Sequence, residues 1–326
     1  MDELTEEART SAPEPERRFI PPTLGEQITS EGTGNTYEIR DRIGEGNFGI
    51  AFHCVDVWGN ELAAKVLKPI ETYEEVRESA LAEFQKLLVL RHPNVTYVYD
   101  AFEFRDTFYI ITERCHCTVA ELFSVPQFDG SLWLMPIARC LLQAVHYLHL
   151  NQYAHQDIHG GNVFTAFVRN EMSPKDPGAI HFKLADLGVS KVFSELDAFN
   201  TLNDSIRPPE AIDPAEYGPV DHRIDIYQTG LLLLQFACSR QMQFTRQEVL
   251  DGRPRAIALG LPAPLNFALE KALRRHAKYR TETAMELWRD LNSGVAEPAP
   301  QMTLLGLDSG HANTSELPAA DSTHSA

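Results

Sequence analysis

No run of eighteen apolar residues occurs anywhere in the chain; the longest apolar stretches, such as residues 231–234, are about one helical turn long. A helix needs about 20 apolar residues to cross a bilayer, so the sequence predicts no membrane span. The N-terminal stretch MDELTEEART has no apolar centre either, which sets a secretory signal aside. Cysteine is scarce: Cys54, Cys115, Cys117, Cys140 and Cys238 are an odd number without a framework spacing. That usage fits a reduced, cytoplasmic protein rather than a disulfide scaffold. Cys115-His116-Cys117 has the residue types of a metal site, but a structural zinc takes four ligands and no others stand nearby. Basic residues are also few. Lys and Arg number 29 against 46 Asp and Glu, a net charge of −17, and a surface of that sign disfavours nucleic acid and anionic membrane as partners. No internal repeat is visible.

The shortage of basic residues is greatest at the two ends. Residues 1–36 hold eight acidic residues against three arginines, and residues 293–326 hold four against none. Both segments are rich in Pro, Ser, Thr, Glu and Ala and have no sustained apolar period, so both are expected to be disordered acidic tails. Between them, residues 37–292 carry the alternation and helical spacing of a folded domain.

Apolar and polar residues alternate from Tyr37 to about Val57 around a glycine cluster, which predicts two strands and a tight turn. ELAAKVLKPI predicts a third. Over residues 72–90, Val76, Leu81, Phe84, Leu87 and Leu88 fall at helical spacing, and His92-Pro93 ends the helix. NVTYVYDAFEFRDTFYIITE predicts two more strands turning at Arg105-Asp106. Beyond Glu113 the pattern becomes helical: SLWLMPIARCLLQAVHYLHLNQ is a long amphipathic helix, NVFTAF and IHFKLAD form a hairpin, and residues 222–241 and 264–290 are helical. The expected fold class is α+β with two lobes. A five-stranded antiparallel sheet with one helix (37–113) precedes a larger, mainly helical lobe (114–292), and a ligand cleft is expected between them.

Four stretches supply chemistry at that cleft. IGEGNFGIA places Gly44, Gly46 and Gly49 as GxGxxG between two strands, where backbone amides can approach phosphate oxygens; a plain glycine-rich hairpin has the same pattern. Lys65 stands mid-strand with apolar neighbours, one strand after that turn, and a buried lysine needs a partner. Glu83 on the following helix is the candidate. HQDIHGGN puts Asp157 and Asn162 in one loop, with Gly160 and Gly161 letting it curl. Asp186-Leu-Gly188 follows a strand, so Asn162 and Asp186 offer two oxygen ligands from neighbouring strand ends. Mg²⁺ bound by so few protein ligands fills its shell with water and phosphates.

Taken in order, these stretches make residues 37–291 resemble a eukaryotic-type protein kinase of the Ser/Thr-like kind. The resemblance implies ATP and Mg²⁺ as cofactors and a protein substrate, possibly the chain itself. It implies a nucleotide site formed by Gly44, Gly46, Asn47, Phe48, Gly49, Ala51, Ala63, Lys65, Thr112, Glu113 and Cys115. Ala63 would roof the adenine, Thr112 would gate the back pocket, and Glu113 and Cys115 would offer it backbone groups. Lys65, paired with Glu83, would hold the phosphates, Asp157 would orient the acceptor hydroxyl, and Asn162 and Asp186 would hold Mg²⁺. RPPEAI and DHRIDIYQTG extend the likeness: Glu210 would pair with Arg280, and Asp225 would hold the catalytic loop. An apolar column of Leu87, Val98, His155 and Leu187 is implied as well.

The chain departs from that pattern at Gln156, His159, Asn203 and Ala51. Gln156 stands where many protein kinases have an arginine that clasps a phosphorylated activation loop. His159 stands in place of a lysine and either contacts phosphate in its stead or fixes the loop by hydrogen bonds. D-x-H-x-G-N is similar to the loop of small-molecule phosphotransferases with a kinase fold. That activity, and an ATP-binding pseudokinase scaffold, are the alternatives to a protein kinase.

Overall fold

Alternating burial in the first third of the chain produces an antiparallel sheet. Its strands run in the order β1 (Gln27–Thr29), β2 (Thr36–Glu45), β3 (Gly49–Asp56), β4 (Glu61–Leu67), β6 (Thr107–Glu113) and β5 (Val98–Phe104). The computed structural model describes residues 19–46, 49–68, 77–78, 81, 84–86, 88–168, 178–197 and 203–293. β5 and β6 turn at Arg105 and Asp106, whose φ angles of 50° and 56° are the left-handed pair of a two-residue hairpin.

Two expectations are corrected at the start of the chain. Among the described residues the sheet has six strands, one more than the five expected, and the added edge strand β1 lies inside the segment 1–36 expected to be disordered. QIT has a single apolar residue, too little for alternation to show. Tertiary contacts hold it instead: Ile28 is fully buried in a cluster with Tyr37, Ile39, Leu62 and Ile111. Asp100, buried on β5, accepts hydrogen bonds from the hydroxyls of Ser30 (3.4 Å), Thr33 (2.7 Å) and Tyr37 (3.0 Å). Residues 1–18 and 294–326 lie outside the described residues. Ser293, assigned to the C-terminal tail by its sequence, closes the last helix through its hydroxyl on the Asp290 carbonyl (2.7 Å).

The sheet has one face for packing and one for the cleft. Leu62, Ala64 and Val66 of β4 enter the cluster around Ile28. The registers Ala51↔Lys65 and Ala63↔Thr112 place Ala51, Ala63, Lys65 and Thr112 together on the opposite face, because directly paired residues share a face. Helical backbone is described at Arg77, Glu78, Leu81, Phe84, Gln85, Lys86, Leu88 and Val89, within the expected helix; Glu83 and Leu87 are outside the described residues.

The second lobe contains α1 (Val119–Leu122), α2 (Gly130–Leu150), α3 (Pro209–Ile212), α4 (Pro214–Tyr217), α5 (Arg223–Ala237), α6 (Arg246–Leu250), α7 (Arg253–Leu259), α8 (Leu265–Ala272) and α9 (Ala284–Asn292). β9 (Val163–Val168) forms a hairpin with β10 (Ala179–Leu184) and also pairs with β7 (Cys117–Thr118), and β8 (Tyr153–Ala154) pairs with β11 (Lys191–Val192). α2 is capped by Asp129, whose side chain accepts from the Ser131 amide, and buries Leu134, Ile137, Leu141, Val145 and Leu148 at three- and four-residue spacing. The helical stretch 264–290 is interrupted between α8 and α9, where Arg280 turns inward to Glu210. α5 is buried along nearly its whole length. Such a helix is ordinarily apolar all round, yet it carries Asp225 and Gln228 with no exposed surface. Buried polar groups need partners, and theirs lie in the loop between β8 and β9. Among the described residues no helix is long and apolar enough to cross a membrane.

Candidate active site

The loop 155–162 is tied from below by α5. Asp225 accepts the His155 amide (2.8 Å), the Gln156 amide (2.8 Å) and Nε2–H of His149 (2.9 Å). Burial alone would raise the Asp225 carboxyl, but the His149 and backbone hydrogen bonds outweigh it and hold the carboxyl below the usual carboxylate range. Gln228 donates to the Gln156 carbonyl (2.7 Å) and accepts from the Ile158 amide (2.9 Å). Gln156 itself sits at φ 69°, rare for a residue other than glycine. Its side chain donates to the Val189 carbonyl (2.8 Å), so the residue in the arginine position fastens the chain after Asp186. His155 is fully buried; its Nε2–H donates to the Ala185 carbonyl (3.0 Å) and its Nδ1 accepts from the Asp157 amide (3.2 Å).

Above this base the expected residues converge. Asn162 Nδ2 donates to the Asp157 carbonyl (2.9 Å) and to Asp157 Oδ2 (2.8 Å). The other oxygen, Oδ1 of Asp157, is buried and has no hydrogen-bond partner among the described residues. His159 turns onto its own loop: Nδ1 accepts from the Gly161 amide (3.0 Å) and Nε2 lies 3.5 Å from Asp157 Oδ2. A Cβ at position 161 would stand 2.8 Å from the His159 ring, so that closure requires glycine. Ala185 connects the loop to the next strand end, its amide donating to the Asn162 carbonyl (2.9 Å).

Asp186 follows at φ 64°, in this site the second left-handed residue other than glycine after Gln156; such backbone costs of order 1–3 kcal/mol and gathers at functional sites. Lys65 Nζ reaches Asp186 Oδ1 at 3.3 Å, across 121 positions of sequence. Burial pushes the Asp186 carboxyl up, but the Lys65 ammonium and the Gly188 amide prevail and keep it below its ordinary value. The site therefore offers an ionised carboxylate and, with Asn162 Nδ2 already engaged, one amide oxygen. Among the described residues no cluster of three His, Cys, Asp or Glu could hold a metal alone. Two hard oxygens fit a cation that keeps its waters and takes phosphate oxygens. Glu83, the expected partner of Lys65, is not among the described residues.

The glycine turn lies over this cleft edge. Gly44 pairs with Ala51, and the Gly46 amide donates to the Gly49 carbonyl (2.9 Å). A Cβ on Gly49 would stand 2.7 Å from the Val66 carbonyl oxygen, so β3 and β4 can approach only with glycine there. Asn47 and Phe48 lie outside the described residues. At the back, the Thr112 hydroxyl donates to the Glu113 carbonyl (3.2 Å). Burial pushes the Cys115 thiol up to about 12, so Cys115 keeps its proton and brings no thiolate chemistry to the cleft.

The side chain of Glu113 has a role its sequence position did not signal. Its Oε1 accepts from the Tyr97 amide (2.7 Å) and from Lys183 Nζ on β10 (2.7 Å), joining the two lobes behind the cleft. Asn94 adds a second joint: its side chain donates to the Phe182 carbonyl (3.0 Å), and its own carbonyl accepts the Leu184 amide (2.8 Å). Lys183→Met is expected to cost about 1.5–3 kcal/mol, the range for a hydrogen bond to a charged group. Urea unfolding would measure it, and a loss below about 0.5 kcal/mol, the level of an ordinary surface change, would show that the joint is superficial.

The last matched pair is the most buried. Arg280 and Glu210 meet with no exposed surface on either side chain, Nη1–Oε1 at 2.6 Å and Nη2–Oε2 at 2.7 Å.

Comparison with known proteins agrees with this geometry. The protein kinase domain family matches residues 37–287. Cyclin-dependent kinase-like 5 of Mus musculus is 27% identical over 235 residues, covering 68% of this chain and 24% of that protein. Serine/threonine-protein kinase 1 of Arabidopsis thaliana is 26% identical over 220 residues, 66% of this chain and 25% of its own length. Serine/threonine-protein kinase SIK1 of Rattus norvegicus is 26% identical over 232 residues, covering 67% and 28%. The chain thus spans about a quarter of the length of these curated relatives. With the match running from β2 into α9, this chain belongs to the protein kinase domain family.

Proposed function

We propose that the chain transfers the γ-phosphoryl of Mg-ATP to a serine or threonine hydroxyl of a protein. The observation that carries this is Oδ1 of Asp157, a buried carboxylate oxygen with no hydrogen-bond donor among the described residues, while Oδ2 is held by Asn162. Leaving such an acceptor unpaired is costly, and an acceptor hydroxyl supplies the missing donor. Asp157 then orients that hydroxyl and takes up its proton as the oxygen attacks. Lys65 shifts its ammonium from Asp186 to the phosphates beneath the Gly44–Gly46–Gly49 turn, and Ala51, Ala63 and Thr112 line the face against the base. Backbone groups of Glu113 and Cys115 meet the adenine edge. Asp186 and the Asn162 amide oxygen would hold Mg²⁺, which would neutralise phosphate charge when bound. Little covalent work falls to the protein; it positions and stabilises charge.

Phosphoamino-acid analysis after incubation of the purified chain with Mg-ATP and generic acceptors tests this. Label on Ser or Thr of a protein, itself included, is the expected result. Label confined to a small alcohol would transfer the site to the small-molecule phosphotransferases, and nucleotide binding without label would make it a scaffold.

His159 belongs to the loop rather than to the phosphate. Its Nδ1 is already spent on the Gly161 amide, and a proton there would cost that bond. His159→Gln, which keeps an acceptor, is expected to give a pH profile of turnover that superimposes on the wild type, with no gain for His159→Lys. If His159→Lys instead held its rate to higher pH, the ring would be a phosphate contact.

A further inference from the structure

We propose that Gln228 is a positioning residue for phosphoryl transfer, fixing the backbone on both sides of Asp157; the inference rests on Asp157 acting as proposed above. Gln228 lies one helical turn after Asp225 on α5, so both side chains reach the same loop. Asp225 accepts two consecutive amides, His155 and Gln156. Gln228 takes what Asp225 cannot: it donates Nε2–H to the Gln156 carbonyl (2.7 Å) and accepts the Ile158 amide at Oε1 (2.9 Å). Asp157 is the residue between those two groups. Its own amide goes to His155 Nδ1 and its carbonyl to Asn162 Nδ2. The backbone around the carboxylate is thereby held from four directions, and Gln228 supplies two of them.

The chemistry selects glutamine. The two loop groups are a carbonyl and an amide N–H, so the side chain opposite must end in a donor and an acceptor side by side, with no charge, in a place without solvent. An ionised carboxylate in its place would face the Gln156 carbonyl with two acceptors. A protonated carboxyl restores the pair, since O–H donates as N–H does. A methionine fills the space and leaves both backbone groups unmatched. Gln156 adds leverage: at φ 69° its backbone is held out of its preferred range, and release of its carbonyl lets it relax and swing Asp157. A displacement of about 1 Å at a reacting group costs on the order of 100-fold in rate.

The test compares wild type, Gln228→Met and Gln228→Glu in turnover, ATP affinity and amide hydrogen exchange. For Gln228→Met, kcat is expected to fall about 10- to 100-fold with the KM for ATP and the number of titratable nucleotide sites unchanged, and exchange at Ile158 to accelerate. Burial favours the protonated form of the introduced carboxyl, so Gln228→Glu should keep more activity than Gln228→Met at low pH. The Gln228→Glu to wild-type rate ratio should then fall as pH rises, while the Gln228→Met ratio stays flat. A kcat for Gln228→Met close to wild type, or unchanged exchange at Ile158, overturns the proposal. So does a loss of nucleotide sites in proportion to rate, which would make Gln228 merely structural. A wild-type chain with no transfer to any acceptor would instead remove the function proposed for Asp157, and this inference with it.

Discussion

Asp157→Ala is expected to cut phosphoryl transfer by about 10²–10⁴-fold, the range for a positioned general base, and to leave ATP affinity unchanged. The two carboxylates of the site are held in different ways, which is why their loss should read differently. Among the described residues, Asp157 has one oxygen on Asn162 and the other unpaired, and its side-chain contacts lie within its own loop, to Asn162 and His159. In the proposed reaction it serves the acceptor. Asp186 contacts Lys65 from the other lobe, and its charge is favoured by that contact. In the proposed reaction it serves the nucleotide. Asp186→Asn should therefore abolish transfer and also weaken ATP binding in the presence of Mg²⁺, with little change in its absence. Calorimetric titration of ATP into both variants, with Mg²⁺ and with a chelator, separates the two. Equal loss of nucleotide affinity in both would refute the division of roles.

That Asp157, Asn162 and Asp186 come together was legible in the sequence because it depends on spacing. A loop that holds an aspartate and an asparagine five positions apart with two glycines between has few ways to fold, and the strand before Asp186 shows in its apolar alternation. The sheet was legible for the same reason, down to the turn at Arg105 and Asp106. What the sequence hid depends on partners far away along the chain. Ile28 is one apolar residue among polar ones, and only the cluster it enters makes it a strand residue. Glu113 was expected to matter for its backbone, while its carboxylate joins Tyr97 to Lys183, which is 70 positions distant. Gln228 is one polar residue inside a helical motif, and only its two bonds to a loop 70 positions away give it a role. The short helices α6 and α7, five and seven residues long, are too brief for a helical period to register.

Arg280→Met is expected to destabilise the second lobe by about 3–5 kcal/mol, the cost of leaving one member of a buried ion pair without the other. Glu210 has no exposed surface and receives two guanidinium N–H bonds in fork geometry, so its charge would be stranded in the interior. The loss extends beyond the pair. Arg280 also donates to the carbonyls of Arg223 (3.0 Å) and Arg274 (3.1 Å), and its guanidinium carbon lies 4.8 Å from the centre of the Tyr227 ring. These contacts pin α3 to the start of α5 and to the connection between α8 and α9. Lysine cannot replace them, because one ammonium does not span two carboxylate oxygens and two carbonyls at once. Arg280→Lys should therefore recover only part of the loss. The double variant Glu210→Leu/Arg280→Met removes the stranded charge and should be more stable than Arg280→Met alone. It should still fall short of wild type, since the Arg223 and Arg274 carbonyls lose their donor. Urea unfolding of the four proteins measures each step. A domain of this kind is stable by roughly 5–15 kcal/mol, so a loss of 3–5 would be visible as a large fall in midpoint. A single variant within about 1 kcal/mol of wild type, the worth of an exposed pair, would mean that solvent reaches Glu210 and that the lobe does not depend on the bond.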